Sequence, residues 1–320
     1  MNKSLSHTHR SESPSFGGVG EAAYHIPVLF SESLDALQIK PNGVYVDCTF
    51  GGGGHSRGIL EKLGKNGKLI AFDQDADAQK NLPDDERVIF IPQNFMHLQR
   101  FLRLHKYPQV DGVLADLGVS SHQFDEAARG FSIRFDGPLD MRMDKRSEKT
   151  AALILKNYTE QELLGIFSNY GEVSNSKTLA KHIVESRNHS SLDTIAAFKN
   201  MIAPVVKGNP NKYLAQVFQA LRIEANDEMN VLKSLLEQLP EVLKPGGRAA
   251  IITFHSLEDR LVKNFFRLGS FEAQEEHPLF NTVQESPFKV ITKKPVVSSE
   301  KELKTNSRSR SAKLRVAEMI

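Results

Sequence analysis

Val44-Tyr45-Val46-Asp47-Cys48-Thr49-Phe50-Gly51-Gly52-Gly53-Gly54-His55-Ser56 is the stretch on which the fold turns. A short β-type run ends in an acid and opens into four consecutive glycines, after which a helical segment begins near Ser56. The next apolar run, Lys68-Leu69-Ile70-Ala71-Phe72, closes on Asp73, twenty residues beyond Gly53. Strand, glycine loop, helix, strand and acid, in that order, is how a doubly wound α/β domain holds a nucleoside cofactor. Glycines let the backbone come close to a ligand, and a helix start offers N–H groups without intrahelical partners. An acid at the end of the second strand can accept both hydroxyls of a ribose.

Further strands are expected at Val88–Pro92 and Val110–Asp116, with helices starting near Asp75 and Phe95. Short apolar runs alternating with amphipathic segments predict a parallel sheet covered on both faces. From about Asp136 to Tyr213 the alternation stops, leaving helical segments at Thr159–Tyr170, Ser176–Ser186 and Ser191–Val206. Thr159-Glu160-Gln161-Glu162 has the form of a capped helix start. Alternation then resumes: an amphipathic helix at Asn226–Leu243, a turn at Lys244-Pro245-Gly246-Gly247 and a buried strand at Arg248–Phe254. Ser256–Phe266 reads as a helix with Ser256 as its N-cap. Lys289–Val296 and Ala312–Ala317 would close the sheet as an antiparallel pair. The expected fold is α/β: a seven-stranded, doubly wound, Rossmann-like sheet of the methyltransferase type with an inserted all-helical domain. Its expected parts are a disordered extension at residues 1–23 and a first part of the sheet domain at 24–135. A substrate-recognising helical insertion at 136–215 and the rest of the sheet domain, with basic C-terminal strands, at 216–320 complete the division.

Composition narrows the class. At 40% hydrophobic and 25% charged residues the chain reads as an ordinary globular protein, and no apolar run approaches the ~20 residues a membrane span requires, so no membrane partner is expected. Residues 1–20 lack the apolar core of a secretion signal. Cys48 is the single cysteine, which excludes an internal disulfide and a cysteine-built zinc site and fits a reducing, cytoplasmic setting. A formal net charge of +2 does not announce nucleic acid. The run Lys293, Lys294, Lys301, Lys304, Arg308, Arg310, Lys313 and Arg315, however, meets few acids, and is either a solvated face or a phosphate-contacting strip.

The glycine loop itself selects among adenosine cofactors. Taking Gly51 and Gly53 as the first two glycines of G-x-G-x-x-G puts Ser56 at the third position, and taking Gly52 and Gly54 puts Arg57 there. The close helix packing of a dinucleotide site is therefore missing. Asp47 ahead of the loop suits a cofactor with a cationic portion, such as the ammonium of S-adenosyl-L-methionine, and the loop's N–H groups suit its carboxylate. A methyl donor is favoured over nicotinamide. Asp47, Asp73 and Asp116 would all reach the carboxyl edge of the sheet, and Phe95 would pack either on an adenine face or in the core.

Downstream motifs sharpen this. His25-Ile26-Pro27-Val28-Leu29, Thr49-Phe50-Gly51-Gly52-Gly53-Gly54-His55-Ser56, Asp116-Leu117-Gly118-Val119-Ser120-Ser121, Arg129-Gly130-Phe131-Ser132 and Gly137-Pro138-Leu139-Asp140-Met141-Arg142-Met143 occur in that order. They are followed by Phe218-Gln219-Ala220-Leu221-Arg222-Ile223, Phe254-His255-Ser256-Leu257-Glu258-Asp259-Arg260 and Ser311-Ala312-Lys313-Leu314-Arg315. The series closely resembles the bacterial small-subunit rRNA (cytosine-N4)-methyltransferase family, RsmH or MraW, from Tyr24 to Val316. The resemblance implies S-adenosyl-L-methionine as donor and a decoding-region cytidine of 16S rRNA, in the small ribosomal subunit, as acceptor. It implies cofactor contacts at Gly53, Gly54, His55, Asp73, Phe95, Asp116 and Gln123. The Asp/Asn-Pro-Pro-aromatic motif of many amino-methyltransferases is replaced here by Asp116-Leu117-Gly118-Val119, so the residues that clamp the base are left open.

A cytosine amine is a weak nucleophile because its lone pair is delocalised, and a site helps by alignment and by accepting its N–H groups. Asp116 is the first candidate for that task and His255 the second, by base contact or proton removal. Phe131 and Phe135 are candidates for stacking on an extruded base, and Arg142, Arg222 and the C-terminal strip for RNA phosphates. No metal is expected. A homodimer is left open. Rival readings are a methyltransferase on another nucleic acid, a protein or a small molecule, and a nucleic-acid-binding regulator that keeps the fold without turnover.

Overall fold

The computed structural model describes residues 27–271 and 285–320; the expected N-terminal extension, residues 1–23, lies outside the described residues. In chain order come helix α1 (Phe30–Leu37), strand β1 (Val44–Asp47), helix α2 (Gly54–Lys62), strands β2 (Lys68–Phe72) and β3 (Val88–Ile91), helix α3 (Leu98–Leu104) and strand β4 (Val110–Asp116). A short helix α4 (Ser121–Asp125) precedes α5 (Ala151–Asn157), α6 (Glu160–Asn169), α7 (Ser176–Ser186), α8 (Ile195–Ile202) and α9 (Pro210–Asn226). Helix α10 (Glu228–Val242), strand β5 (Leu243–Thr253), helix α11 (Ser256–Leu268), strand β6 (Phe288–Val290), helix α12 (Glu300–Thr305) and strand β7 (Lys313–Met319) follow.

Seven strands form one sheet in the order β3-β2-β1-β4-β5-β7-β6. The first five are mutually parallel, and β7 runs antiparallel between β5 and β6. The chain winds outward from β1 to β3 and then crosses back to place β4 on the other side of β1. That reversal leaves a crevice above the carboxyl ends of β1 and β4, where open α/β sheets bind ligands. Successive strand residues serve opposite faces: Val113 and Ala115 pack under α10 and α11, while Leu114 packs against the α1 and α2 side. Burial on both faces is why the strands read as continuous apolar runs rather than alternating ones. Helices α5 to α9 enclose a separate apolar core around Phe167, Phe198 and Leu221, to which α9 contributes as far as Ala225.

Local departures from expectation have physical causes. The helix expected from Asp75 is a tight 3-10 segment, Ala76–Asn81, because Pro83 holds Leu82 extended and stops the chain short of an α-helix. Asn226 closes α9 instead of opening the next helix, and Asp227 makes the bend in a left-handed conformation. Lys244–Gly247 is absorbed into β5 as an irregularity in its register with β4. His255, not Ser256, caps α11. Only Phe288–Val290 pairs as a strand in the expected Lys289–Val296 region, with Val296 meeting Leu314 in a separate bridge.

Candidate active site

Asp47, at the end of β1, is fully buried and turned toward the chain rather than the crevice. Its Oδ1 accepts the Thr49 N–H at 3.0 Å and its Oδ2 accepts the Ser56 hydroxyl at 2.7 Å, tying the loop's entrance to the first turn of α2. The expected pairing of Asp47 with a cationic cofactor group is thereby corrected: its carboxylate is fully buried behind the loop and off the cavity wall. Between these anchors Gly53 adopts φ 74, a left-handed conformation, and its N–H donates to the Phe50 carbonyl. A Cβ there would come within 2.9 Å of the Phe50 ring, which is why a side chain is excluded. With Gly53 as N-cap, no side chain caps α2, so N–H groups at Gly54 and His55 lie at an uncapped helix start.

Asp73, just past β2, turns toward the loop: Oδ2 accepts the Gly51 N–H at 2.7 Å and Oδ1 the Asp75 N–H at 2.8 Å. Burial pushes its pKa up to about 6, against the lowering effect of those two N–H donors. Asp75 gathers a second knot. Its Oδ2 accepts from the Gln123 amide at 2.7 Å and from the Arg129 guanidinium at 2.6 Å, and Arg129 is almost wholly buried. Gln123 also completes a capping box with Ser120 at the start of α4. Gln123 is therefore held in place on both sides while still lining the crevice.

Asp116 ends β4. Its N–H donates to Thr49 Oγ1 at 2.7 Å, fixing it beside the glycine loop. Its Oδ1 is buried with no hydrogen-bond partner, and Oδ2 lies 3.8 Å from His55 Nδ1. Burial, then the nearby Asp47 and Glu258 carboxylates, push its pKa well above the carboxylate range. His55 is itself buried, its Nε2 3.1 Å from the Val28 carbonyl, and burial lowers its pKa, so it stands as a neutral imidazole. An Nε2–H donating to that carbonyl leaves Nδ1 as an acceptor toward Asp116.

These groups line a cavity of about 730 Å³. Gly54, His55, Asp73, Phe95, Asp116 and Gln123 share its wall, whereas the Gly53 backbone shapes the loop behind it. Glu228 and Glu258 close the far side. Neither is a site candidate from the sequence, where Glu258 reads only as a first-turn acid within the Phe254–Arg260 motif, because each becomes part of the site only when α10 and α11 are brought to the crevice. The Asp73-Gln74-Asp75-Ala76-Asp77 run was the one signal that could have flagged Asp75.

His255 does not line this cavity among its described walls. Its Nδ1 accepts the Glu258 N–H at 3.4 Å, and its Nε2 lies 3.1 Å from Glu258 Oε1 without hydrogen-bond geometry. Glu258 also accepts the Phe254 N–H at 2.8 Å. Burial opposes ionisation of Glu258, but His255, Arg222 and the Phe254 N–H outweigh it and lower its pKa. Glu228, His255 and Glu258 bring potential ligand atoms within 4.8 Å of one another, a compact set that no local spacing announces. Glu228 is held there by a forked pair with Arg222 at 2.8 and 2.9 Å, so the set is built into an ion-pair network.

The RNA-contact candidates divide. Phe131 is core, whereas Phe135 is 48% exposed. Arg142 is forked onto Asp140 at 2.7 Å through both Nε and Nη2, and Arg222 onto Glu228, which corrects their expected role on phosphates. In the C-terminal strip Arg315 and Lys313 pair with Asp259, and Arg308 with Asp125. Lys293, Lys294, Lys301, Lys304 and Arg310 remain exposed.

Residues 22–320 match the model of the MraW methylase family. The chain is 52% identical over 302 residues to a "Ribosomal RNA small subunit methyltransferase H" of Parabacteroides distasonis, covering 94% of this chain and 99% of that protein. A protein of the same name in Bacteroides thetaiotaomicron is 53% identical, over 93% of this chain and 98% of its own length. Among solved structures, an rRNA methylase from Streptococcus thermophilus aligns over 92% of this chain and 99% of its own, at 12% identity and a TM-score of 0.42. No helix among the described residues is long and apolar enough to cross a membrane.

Proposed function

Because the chain belongs to the MraW methylase family, matched from residue 22 to 320, we propose that it methylates the exocyclic N4 amine of a cytidine in the decoding region of 16S rRNA. It is an S-adenosylmethionine-dependent methyltransferase acting on small-subunit rRNA; the base, the atom and the region are the proposal. The observation that supports an amine as the acceptor is Asp116 Oδ1, a buried acceptor without a partner on the wall of the donor cavity; the base and the region follow from the family resemblance. A hydrogen-bond acceptor in that position suits an incoming amine, which has an N–H to donate, and not a ring carbon, which has none.

The cavity suits the donor. The uncapped start of α2 at Gly54 and His55 fits its carboxylate, Asp73 its ribose hydroxyls and Phe95 its adenine face. Gln123 and Arg129 brace the wall through Asp75. When bound, the donor supplies a methyl group on a cationic sulfur, and that charge draws Asp116 toward its ionised form. Asp116 then accepts an N–H of the acceptor amine, concentrates the lone pair on nitrogen and takes the proton released as the N–C bond forms. The Nδ1 acceptor of neutral His55, 3.8 Å from Asp116 Oδ2, faces the acid once Asp116 carries that proton. His255 acts at one remove, positioning Glu258 at the cavity wall.

Helices α5 to α9, with their own core, are proposed as the substrate-recognising insertion within residues 136–215 and its continuation along α9. Exposed Lys293, Lys294, Lys301, Lys304 and Arg310 supply a face for RNA phosphates, and the ribosomal substrate puts the protein in the cytoplasm. The test is to incubate the protein with labelled S-adenosylmethionine and either small subunits or naked 16S rRNA, then digest the RNA to nucleosides. Label in N4-methylcytidine from the decoding region is expected. Label in a ring-methylated base or a ribose would overturn the assignment.

A further inference from the structure

We propose that the acceptor base lodges in a second, smaller cavity beside the donor cavity, and that Arg222 reads its ring edge as a specificity-determining residue. The inference rests on the cytosine-N4 reading given above. The second cavity has a volume of about 230 Å³ and is bounded by Leu117, Gly118, Phe124, Arg222, Phe254 and Arg308. A cavity of that size has room for one pyrimidine ring. Leu117, Gly118, Val119, Ser120, Phe254 and Arg308 line both cavities, so the loop after β4, with Phe254 and Arg308, lies between donor and acceptor. Gly118 sits at φ 94, and a Cβ there would lie 3.6 Å from the Phe254 ring, so the glycine keeps the space beside that ring open.

The chemistry of the walls matches the pairing edge of cytosine, which presents one amine and, beside it, the acceptors N3 and O2. The donor cavity supplies Asp116 Oδ1, an acceptor without a partner, and the second cavity, across the residues the two share, supplies the Arg222 guanidinium, a donor only. Arg222 holds Glu228 through Nε and Nη2, which fixes its plane, while Nη1 takes no part in that pair. Burial disfavours its charge, yet Glu228 and Glu258 outweigh burial and raise its pKa, so it stays cationic. An acceptor for the amine and a donor for N3 reject uracil, whose O4 and N3–H reverse both. Adenine offers the same amine and acceptor pair but brings a second ring. Phe254 and Phe124 provide aromatic surface, worth roughly 1–3 kcal/mol per stacked base toward the cost of extrusion. The Arg134 and Arg308 guanidiniums, 5.9 and 5.7 Å from the Phe124 ring centre, lie against the same ring, Arg308 while paired with Asp125.

The test is a chemical double-mutant cycle on RNA carrying 3-deazacytidine at the mapped target position, where C–H replaces N3. The analogue's amine is the better nucleophile, so a slower reaction reports lost recognition. Wild-type protein should lose about 10- to 100-fold in turnover on the analogue. Arg222→Met, confirmed as folded by thermal unfolding and assayed at saturating S-adenosylmethionine, should lose as much on ordinary cytidine and lose nothing further on the analogue. Equal or faster turnover of the analogue by wild-type protein overturns the proposal, whatever the fate of the variant. Additive losses in Arg222→Met overturn it as well. If wild-type protein leaves its methyl group on some atom other than cytidine N4, the functional reading itself fails, and the mapped nucleoside tells the two failures apart.

Discussion

Asp73 is where burial and hydrogen bonding pull hardest against each other. Its folded pKa is raised to about 6 from 3.8, so the protein binds this proton more tightly than the unfolded chain does. The stability contributed by the protonated acid is complete below the unfolded value and is lost as pH rises through about 6. Ligand binding runs the other way, because an ionised carboxylate accepts two ribose hydroxyls best. Affinity for S-adenosylmethionine should therefore weaken as pH falls through about 6, and binding near that pH should release protons. Calorimetry in buffers of different ionisation enthalpy measures both; a flat affinity across this range would remove Asp73 from the ribose contact. Asp73 and Asp116 were legible as cavity-lining acids because the carboxyl ends of parallel strands meet at the crevice beside the glycine loop. Asp47 occupies an equivalent place in the sequence, but its oxygens hold Thr49 and Ser56, and no pattern of residue types distinguishes that use from ligand binding. The same limit applies to Arg142 and Arg222, whose partners lie on the chain itself.

At the scale of elements, the glycine loop and α2 form one device whose four glycines have unequal duties. Gly53 needs a left-handed backbone and abuts Phe50, whereas a Cβ on Gly52 would meet nothing within 4 Å. Gly53→Ala should cost about 1–2 kcal/mol from backbone strain alone, with further loss from the Phe50 contact. Gly52→Ala should leave unfolding unchanged, since its cost appears only when the cavity is filled. Thermal unfolding of the two variants tests this, and equal destabilisation would show that the loop is held differently. Strand positions and the segments of the helical core were readable from apolar runs and capping residues such as Thr159 and Glu162. Helix starts next to the crevice were not. Pro83 compresses one of them, and at α11 a histidine does the capping that the adjacent serine seemed to offer.

On the scale of the whole molecule, a charge balance near zero conceals an uneven surface. Lys293, Lys294, Lys301 and Lys304 stay exposed near the C-terminal strands while Lys313 and Arg315 are drawn into Asp259. Replacing those four exposed lysines by alanine should reduce the salt dependence of RNA binding by about three units of log–log slope, with little effect on cofactor affinity. An unchanged slope would move the RNA to another face. Folding also joins what the sequence keeps far apart: Glu228 and Glu258 come to a cavity opened by Gly51 and Asp73, across the helical core built by α5 to α9. The central claim is that one carboxylate, Asp116, accepts the amine of the acceptor beside the bound donor. Single-turnover methyl transfer to cytidine N4 of the ribosomal substrate tests it most directly, comparing wild-type protein with Asp116→Ala. The account predicts a loss of about a hundredfold to a thousandfold in the chemical step, with the variant folded and its affinity for S-adenosylmethionine changed far less than its rate. Near-normal transfer by Asp116→Ala would contradict it.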